Sequence, residues 1–281
     1  MHALIQEMGR EIVRQESTKD PGRRSRLYDH KEVYDVLKNN MGTDAIEGIS
    51  LDVSEIRGMN LSSDIFVKMI NLRFLKFYSR SGARCNVSLP AGLESLSNKL
   101  RYLHWSAYPL KSLPTTFSPE KLVELYMPNS NVQRLWHGVQ DLTNLKKMDL
   151  SCCEQLIELP DFSMATNLQT INLSRCVRLR HVHTSILSLK KLVNLNLVWC
   201  KRLKSLLSNV PLSSLRILEL YGCSSLKEFS VTAAEMTYLD LRCTAINELP
   251  ESVKYLSSLI NLELSSCGNL RNLPNEFSCL K

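Results

Sequence analysis

The sequence has no long apolar run. No stretch approaches the roughly 18 apolar residues that a membrane-spanning helix requires. The N-terminal stretch MHALIQEMGREIVRQE carries charges throughout and lacks the apolar core of a signal peptide. Hydrophobic residues make up 44% and charged residues 22% of the 281 residues, which is typical of a folded protein and excludes a disordered chain. We therefore expect a protein of the cytoplasm that could also enter the nucleus.

The sequence also lacks the motifs of several catalytic and binding classes. It contains no GxxxxGK[ST] segment, and none of its ten glycines precedes a lysine, which excludes a phosphate-cradling loop of that type. Its nine cysteines form no CxxC pair, so a zinc site of the usual spacing is not expected. The histidines show no triad with serine and acid residues, and His181 and His183 lack further metal ligands. We therefore expect neither an enzyme nor a metal site.

Acidic residues are absent from one long window. Between Asp161 and Glu219 there are nine Lys and Arg and no Asp or Glu. Residues 1–45 hold eight basic and eight acidic side chains, so the net charge of +7 arises after them. Two interpretations are open at this stage: a solvated face, or a docking surface for an acidic partner.

The strongest positive signal is a repeat. The pattern L-x-x-L-x-L starts at Leu72, Leu100, Leu122, Leu145, Leu168, Leu192, Leu215, Met236 and Leu259, with spacings of 28, 22, 23, 23, 24, 23, 21 and 23 residues. This period and pattern are typical of the leucine-rich repeat, whose units stack because one unit cannot bury its leucine face alone. We predict an α/β fold over residues 46–281: a horseshoe-shaped solenoid of about nine to ten repeats with a parallel concave sheet.

The ninth position of the repeat is usually cysteine. From the repeat that starts at Leu145 onward, it is occupied by Cys153, Cys176, Cys200, Cys223 and Cys267, with Thr244 as the exception. At this position a small side chain turns inward and satisfies backbone groups of the loop that leaves the strand. We therefore expect these thiols to be buried and reduced. The pattern assigns no role to Cys85, Cys152, Cys243 and Cys279.

The outward positions of the strands predict a binding surface. Because strand side chains alternate, the third, fifth and seventh residues of each repeat should face solvent on the concave side. The aromatic candidates are Phe74, Tyr102, His104, Tyr126, Tyr221 and Tyr238, with Trp199 one place further along; the acids Asp149, Glu219, Asp240 and Glu263 share the surface, and Arg175, Lys201, Arg202 and Lys204 border its middle. The rings either anchor a partner or pack on one another as cross-strand pairs.

The first 45 residues predict two helices. In HALIQEMGREIVRQ, the residues Ile5, Met8 and Ile12 share one helical face, and a second helix over about 30–39 would be capped by Asp29. Between them, KDPGRRSRL predicts a polar loop whose arginines are either solvated or a basic patch. The two helices could cover the open end of the solenoid.

Three blocks carry a specific resemblance. MHALIQEMGREIVRQES, followed by PGRRSRLYDHKEVYDVLKNNMGTDAIEGISLDVS, resembles the junction between the nucleotide-binding module and the repeats in plant disease-resistance receptors of the TIR–nucleotide-binding–leucine-rich-repeat class. LRYLHWSAYPLKSLPTTFSPEKLVELYMPNSNVQRLWHGVQDLTNLKKMDLSCC resembles their opening repeats. The resemblance implies that residues 1–45 are the winged-helix end of that module with its linker. In the family a Met-His-Asp element contacts bound ADP, and it corresponds here to Met1 and His2 followed by Ala3, so the element is incomplete.

The resemblance also implies a function. Residues 46–281 would be the recognition and autoinhibitory region of an intracellular immune receptor, and would bind a pathogen effector or the receptor's own nucleotide-binding module. A free-standing repeat adaptor or decoy is the open alternative. ADP or ATP belongs to the full-length family and is not expected in this chain. The partner should be a protein, not nucleic acid or membrane. The next repeat would begin at about position 282, so we expect a fragment that oligomerises only through domains it lacks.

Overall fold

A parallel sheet of eleven short strands runs through the computed structural model, which describes residues 3–56, 58–80 and 87–271. In chain order the strands are β1 (Arg26–Leu27), β2 (Gly48–Asp52), β3 (Met59–Asn60), β4 (Phe74–Tyr78), β5 (Val87–Ser88), β6 (Tyr102–Trp105), β7 (Glu124–Tyr126), β8 (Lys147–Asp149), β9 (Thr170–Asn172), β10 (Asn194–Asn196), β11 (Ser205–Leu207), β12 (Ile217–Glu219), β13 (Glu228–Ser230), β14 (Tyr238–Asp240) and β15 (Asn261–Glu263). Two small parallel pairs, β3–β5 and β11–β13, lie apart from the long sheet, whose order is β1-β2-β4-β6-β7-β8-β9-β10-β12-β14-β15.

The leucine pattern determines the register of the long sheet. The fourth residue of one repeat pairs with the fourth residue of the next, so that Leu125 lies beside Met148 and Met148 beside Ile171. These side chains are buried, and burying each contributes about 1.5–3 kcal/mol. The predicted α/β leucine-rich-repeat solenoid with a parallel sheet is therefore confirmed. One turn of this solenoid is called a rung below.

From β6 onward, the turn that leaves each strand of the long sheet has a left-handed residue at the eighth position of the repeat. Cys152 and Cys243, for which the sequence indicated no role, stand there with φ of 58° and 55°. Their N–H groups donate to the carbonyls of Ser174 and Ser265 on the next rung, at 2.7 and 3.1 Å. Six further residues share this position and a positive φ: Ala107, Asn129, Arg175, Trp199, Gly222 and Ser266. The position is therefore defined by backbone geometry and not by residue type.

A helix covers the first strands of the sheet. Helix α2 (His30–Lys38) is capped by Asp29, whose side chain accepts from the N–H groups of Lys31 and Glu32, as predicted. It buries Val33, Val36 and Leu37, and β1 before it pairs with β2 and extends the sheet to residue 26.

The other N-terminal helix does not cover the sheet. Helix α1 (Ala3–Glu16) buries Val13 alone, while Leu4, Ile5, Met8 and Ile12 on its apolar face are 58–64% exposed. The prediction that both helices cover the open end of the solenoid is thus right for α2 and wrong for α1, because the apolar face of α1 stays exposed to solvent. The described chain also contains four short 3-10 turns: Pro21–Arg23, Val53–Glu55, Ile186–Ser188 and Glu251–Tyr255. In the described part of the chain, no helix has the length and apolarity to cross a membrane.

Candidate protein-binding surface

Side chains alternate along the strands as the sequence predicted. In β6, Leu103 and Trp105 are buried, whereas Tyr102 and His104 are half-buried and face outward from the sheet. The outward row continues through Phe74 and Tyr126 on the neighbouring strands and returns at Tyr238 on β14. Phe74, Tyr102, His104 and Tyr126 lie together and are called the aromatic cluster.

The rings of the aromatic cluster pack on one another. Phe74 and Tyr102 stack with centroids 4.6 Å apart and an interplanar angle of 10°, and Tyr126 lies 5.7 Å from Tyr102 and 5.6 Å from His104. The interpretation that these rings pack on one another is therefore correct. The cluster nevertheless keeps an accessible side, since Phe74 is 38% exposed and its three neighbours are half-buried.

The aromatic cluster is uncharged near neutral pH. Burial raises the pKa of Tyr102, and burial together with the Glu124 carboxylate raises the pKa of Tyr126 to about 12. Burial and the Lys76 ammonium lower the pKa of His104, which favours its neutral form. A neutral, partly exposed surface with two hydroxyl groups and an imidazole can bury apolar area and form hydrogen bonds without desolvating a charge.

A second aromatic group lies at the edge of the sheet. Trp199 and Tyr221 make an edge-to-face pair with centroids 5.0 Å apart, and both follow the strands instead of lying in them. Lys201 Nζ lies 5.4 Å from the Trp199 ring centroid, and the guanidinium of Arg242 lies 4.9 Å from that of Tyr221. Three strand spacings, roughly 14 Å, separate this pair from Tyr126. The sequence had placed all seven aromatics on one surface, and the structure divides them into the cluster, this edge pair and Tyr238.

Gly222 supports the edge pair, and sequence reasoning missed it. Its φ is +75°, and a Cβ built there would lie 2.7 Å from the Trp199 ring. Glycine is therefore required by the ring that covers it, whereas the backbone conformation, which seven other residues adopt at this position, only favours glycine. The sequence does carry a signal for this contact: Gly222 stands at the eighth position of its repeat, and Trp199 stands at the eighth position of the preceding repeat.

Most acids of the surface are engaged internally. Asp149 Oδ1 accepts from the Ser151 N–H at 2.8 Å, and its Oδ2 accepts from Asn172 at 3.1 Å. Asn196 donates to Glu219 at 2.8 Å, and Arg242 binds both oxygens of the buried Asp240 at 3.0 and 2.7 Å. Burial and the nearby Asp240 raise the pKa of Glu219. These acids form the turns and the hydrogen bonds between rungs, a role that the sequence interpretation had not given them.

The predicted basic residues lie beside the sheet. Arg175, Lys201, Arg202 and Lys204 are exposed and occupy the turns and segments that follow β9 and β10. Within residues 3–56, 58–80 and 87–271, none of them forms an ion pair with an acid. Part of the acid-free window therefore forms a group of exposed positive charges at one edge of the sheet. His2 lies outside the described residues, and no group of three or more His, Cys, Asp or Glu in the described chain is placed to hold a metal ion.

The cysteine ladder lies beneath this edge. Cys153, Cys176, Cys200 and Cys223 are fully buried, and each Sγ donates to a carbonyl of the preceding rung at 3.1–3.2 Å. Cys267 donates likewise at 3.0 Å but is only half-buried. Burial raises the pKa of Cys153 and Cys223 to about 12. Burial is confirmed for four of the five predicted thiols, and Cys85 and Cys279 lie outside the described residues.

We expect a native thiol-labelling experiment to separate these classes. Cys152 and Cys243 are half-buried and should react with a maleimide, whereas the four buried ladder thiols should react only after denaturation, because the thiolate is both inaccessible and disfavoured. Mass spectrometry of the labelled peptides gives the result site by site. Labelling of the four ladder cysteines at the rate of Cys152 in the folded protein would contradict the assignment.

The chain is similar to several known proteins. A family model described as the leucine-rich-repeat domain of endo-beta-N-acetylglucosaminidase EndoS matches residues 119–209. The chain is 46% identical to disease resistance protein RPP2A of Arabidopsis thaliana over 96% of its length and 21% of the relative's. It is 38% identical to disease resistance protein RML1A of the same plant over 100% of its length and 28% of the relative's.

The solved leucine-rich-repeat domain of the type III effector XCV3220 (XopL) aligns with a TM-score of 0.48 and 18% identity, over 91% of this chain and 70% of that chain. The chain spans 21–28% of the length of the two curated relatives given above. Their similarity extends over nearly all of this chain, from the N-terminal helices through the repeats. The resemblance to plant disease-resistance proteins of the TIR–nucleotide-binding–leucine-rich-repeat class is therefore confirmed, and the chain is homologous to one part of these proteins.

Proposed function

We propose that this chain is the recognition region of an intracellular plant immune receptor, and that its concave sheet binds a pathogen effector or the receptor's own nucleotide-binding module. The observation that carries the proposal is the aromatic cluster: four neighbouring rings, neutral and partly exposed, on the outward side of a sheet in a disease-resistance protein. Such rings supply binding energy because they bury large area with little loss of side-chain freedom.

The neighbours of the cluster support a protein partner. Tyr126 and Tyr102 carry hydroxyl groups that stay protonated at neutral pH. His104 Nε2 and Ser106 Oγ share a hydrogen bond of 3.1 Å. Lys147 and Glu124 form an ion pair of 3.5 Å beside them. An apolar centre with a polar, charged rim is the usual composition of a protein interface. The fold contributes recognition and not chemistry, so we propose no catalytic role.

Photo-crosslinking in a full-length disease-resistance protein that carries these repeats tests the proposal. We would replace Phe74, on the outward face, with p-benzoylphenylalanine, and in a matched control replace Tyr255, which is 56% exposed on a 3-10 turn outside the sheet. Irradiation should give an adduct from position 74 with the effector or with the nucleotide-binding module, identified by mass spectrometry. Adducts from position 255 with none from position 74 would contradict the assignment of the binding face.

A further inference from the structure

Six exposed cations occupy one edge of two consecutive rungs. Arg175, Arg178 and Arg180 follow β9, and Lys201, Arg202 and Lys204 follow β10. We define these six residues as the basic edge. Arg178 donates to the neutral amide of Gln155 at 2.7 Å, and in the described chain no member of the basic edge pairs with an acid.

The cations face one another across the rungs. Arg178 and Arg202 precede Leu179 and Leu203, two buried leucines at the same position of consecutive repeats. Arg180 and Lys204 follow those leucines, and the Lys204 N–H donates to the Arg180 carbonyl at 3.4 Å. Like charges on directly opposed positions destabilise a stacked structure. The basic edge therefore carries a repulsion that an anionic ligand would relieve.

An aromatic ring lies within the basic edge. Trp199 stands at the eighth position of its repeat, as Arg175 does on the preceding rung. Lys201 Nζ lies 5.4 Å from the centroid of the Trp199 ring. The Trp199 φ of +60° is the left-handed conformation that the turn imposes at this position from β6 onward, and it directs the ring to the edge of the sheet. A ring flanked by arginine and lysine suits a ligand that combines an apolar group with negative charge.

Acidic residues limit the basic edge on both sides. The preceding rung presents Glu154 and Glu158, and the following rung presents Glu228 next to Lys227, whose N–H donates to the Lys204 carbonyl at 2.9 Å; all four side chains are exposed. The attractive region is therefore only about 10 Å wide across the rungs. A nucleic acid strand is a continuous polyanion, and its phosphates would meet these glutamates. A short acidic protein segment with a few carboxylates and one apolar side chain matches both the width and the chemistry.

We propose that the basic edge binds a short acidic protein segment, with arginine forks on its carboxylates and Trp199 against an apolar side chain. This inference rests on the proposed function and adds the chemistry of one segment of the bound protein. That segment would bind beside the sheet, apart from the aromatic cluster. Bidentate arginine contacts make such a site specific for carboxylates, and its affinity should fall with added salt.

Fluorescence anisotropy with this 281-residue chain tests the proposal. The probe is a labelled peptide of sequence Glu-Glu-Leu-Asp-Glu-Glu, compared with an oligothymidylate of matched charge. A triple variant that combines Arg178→Glu, Arg202→Glu and Lys204→Glu should weaken peptide binding by about tenfold or more. The matched control Lys111→Glu with Lys146→Glu and Lys190→Glu reverses three exposed lysines elsewhere and should change it by less than about twofold.

The outcomes separate the two proposals. The variant Tyr102→Ala with Tyr126→Ala should keep peptide binding, so a failure of the concave sheet as a binding face leaves this assay unaffected. Equal weakening by the basic-edge and control variants would show a net-charge effect and overturn the proposal. Tighter binding of the oligothymidylate than of the peptide would overturn it in favour of nucleic acid. Thermal melts followed by circular dichroism establish that each variant is folded.

Discussion

Replacing Gly222 with alanine should lower the free energy of unfolding by about 2–4 kcal/mol. Two effects add. Alanine is strained at φ of +75°, and the N–H of residue 222 fixes that conformation by donating to the Arg242 carbonyl at 2.9 Å. The new Cβ would also lie 2.7 Å from the Trp199 ring, which cannot move away without disturbing its contact with Tyr221.

A double-mutant cycle separates these two effects. Trp199→Ala removes the steric conflict, so Gly222→Ala should be less destabilising in that background, with a coupling of about 1 kcal/mol or more. Cys243→Ala is the control for alanine in this conformation, because residue 243 occupies the same position of its repeat with φ of 55°. It should change stability little. Chemical denaturation gives all four values, and strictly additive effects of the two substitutions would contradict the proposed contact.

The sheet and the cysteine ladder could be predicted because they depend on spacing. A leucine or methionine every 21–28 residues at a fixed offset from its neighbours leaves one parallel register that buries all of them, and Cys153 or Cys176 then falls inward at the turn. The amphipathic pattern of α1 predicted a helix correctly but could not indicate whether its apolar face would find a neighbour, because that depends on tertiary contacts.

The turn after each strand could not be predicted from residue type. Its left-handed residue is Ala107 in one rung and Trp199 in another, because side-chain acceptors such as Asp149 and hydrogen bonds to the next rung impose the conformation. Since the turn determines where the seventh and eighth side chains go, it also places Trp199 and Tyr221 at the edge of the sheet. The binding role of these residues stays a prediction.

The aromatic cluster should supply much of the binding energy for a partner on the concave sheet. Tyr102 contacts Phe74, His104 and Tyr126, so its removal opens the centre of the cluster. Each of Tyr102→Ala and Tyr126→Ala should weaken binding by about 2 kcal/mol or more, which is roughly 30-fold. Tyr102→Phe keeps the stacked ring and loses only the hydroxyl, so its effect should be smaller. Tyr255→Ala, on a 3-10 turn outside the sheet, should have no effect.

The most direct test is the recognition or autoinhibition response of a full-length disease-resistance protein that carries these substitutions, with protein level measured alongside. If the concave sheet is the binding face, Tyr102→Ala combined with Tyr126→Ala abolishes the response to the effector or releases autoinhibition, while Tyr255→Ala behaves as the unaltered protein at equal abundance. The account is contradicted if the double substitution is silent and Tyr255→Ala removes the response.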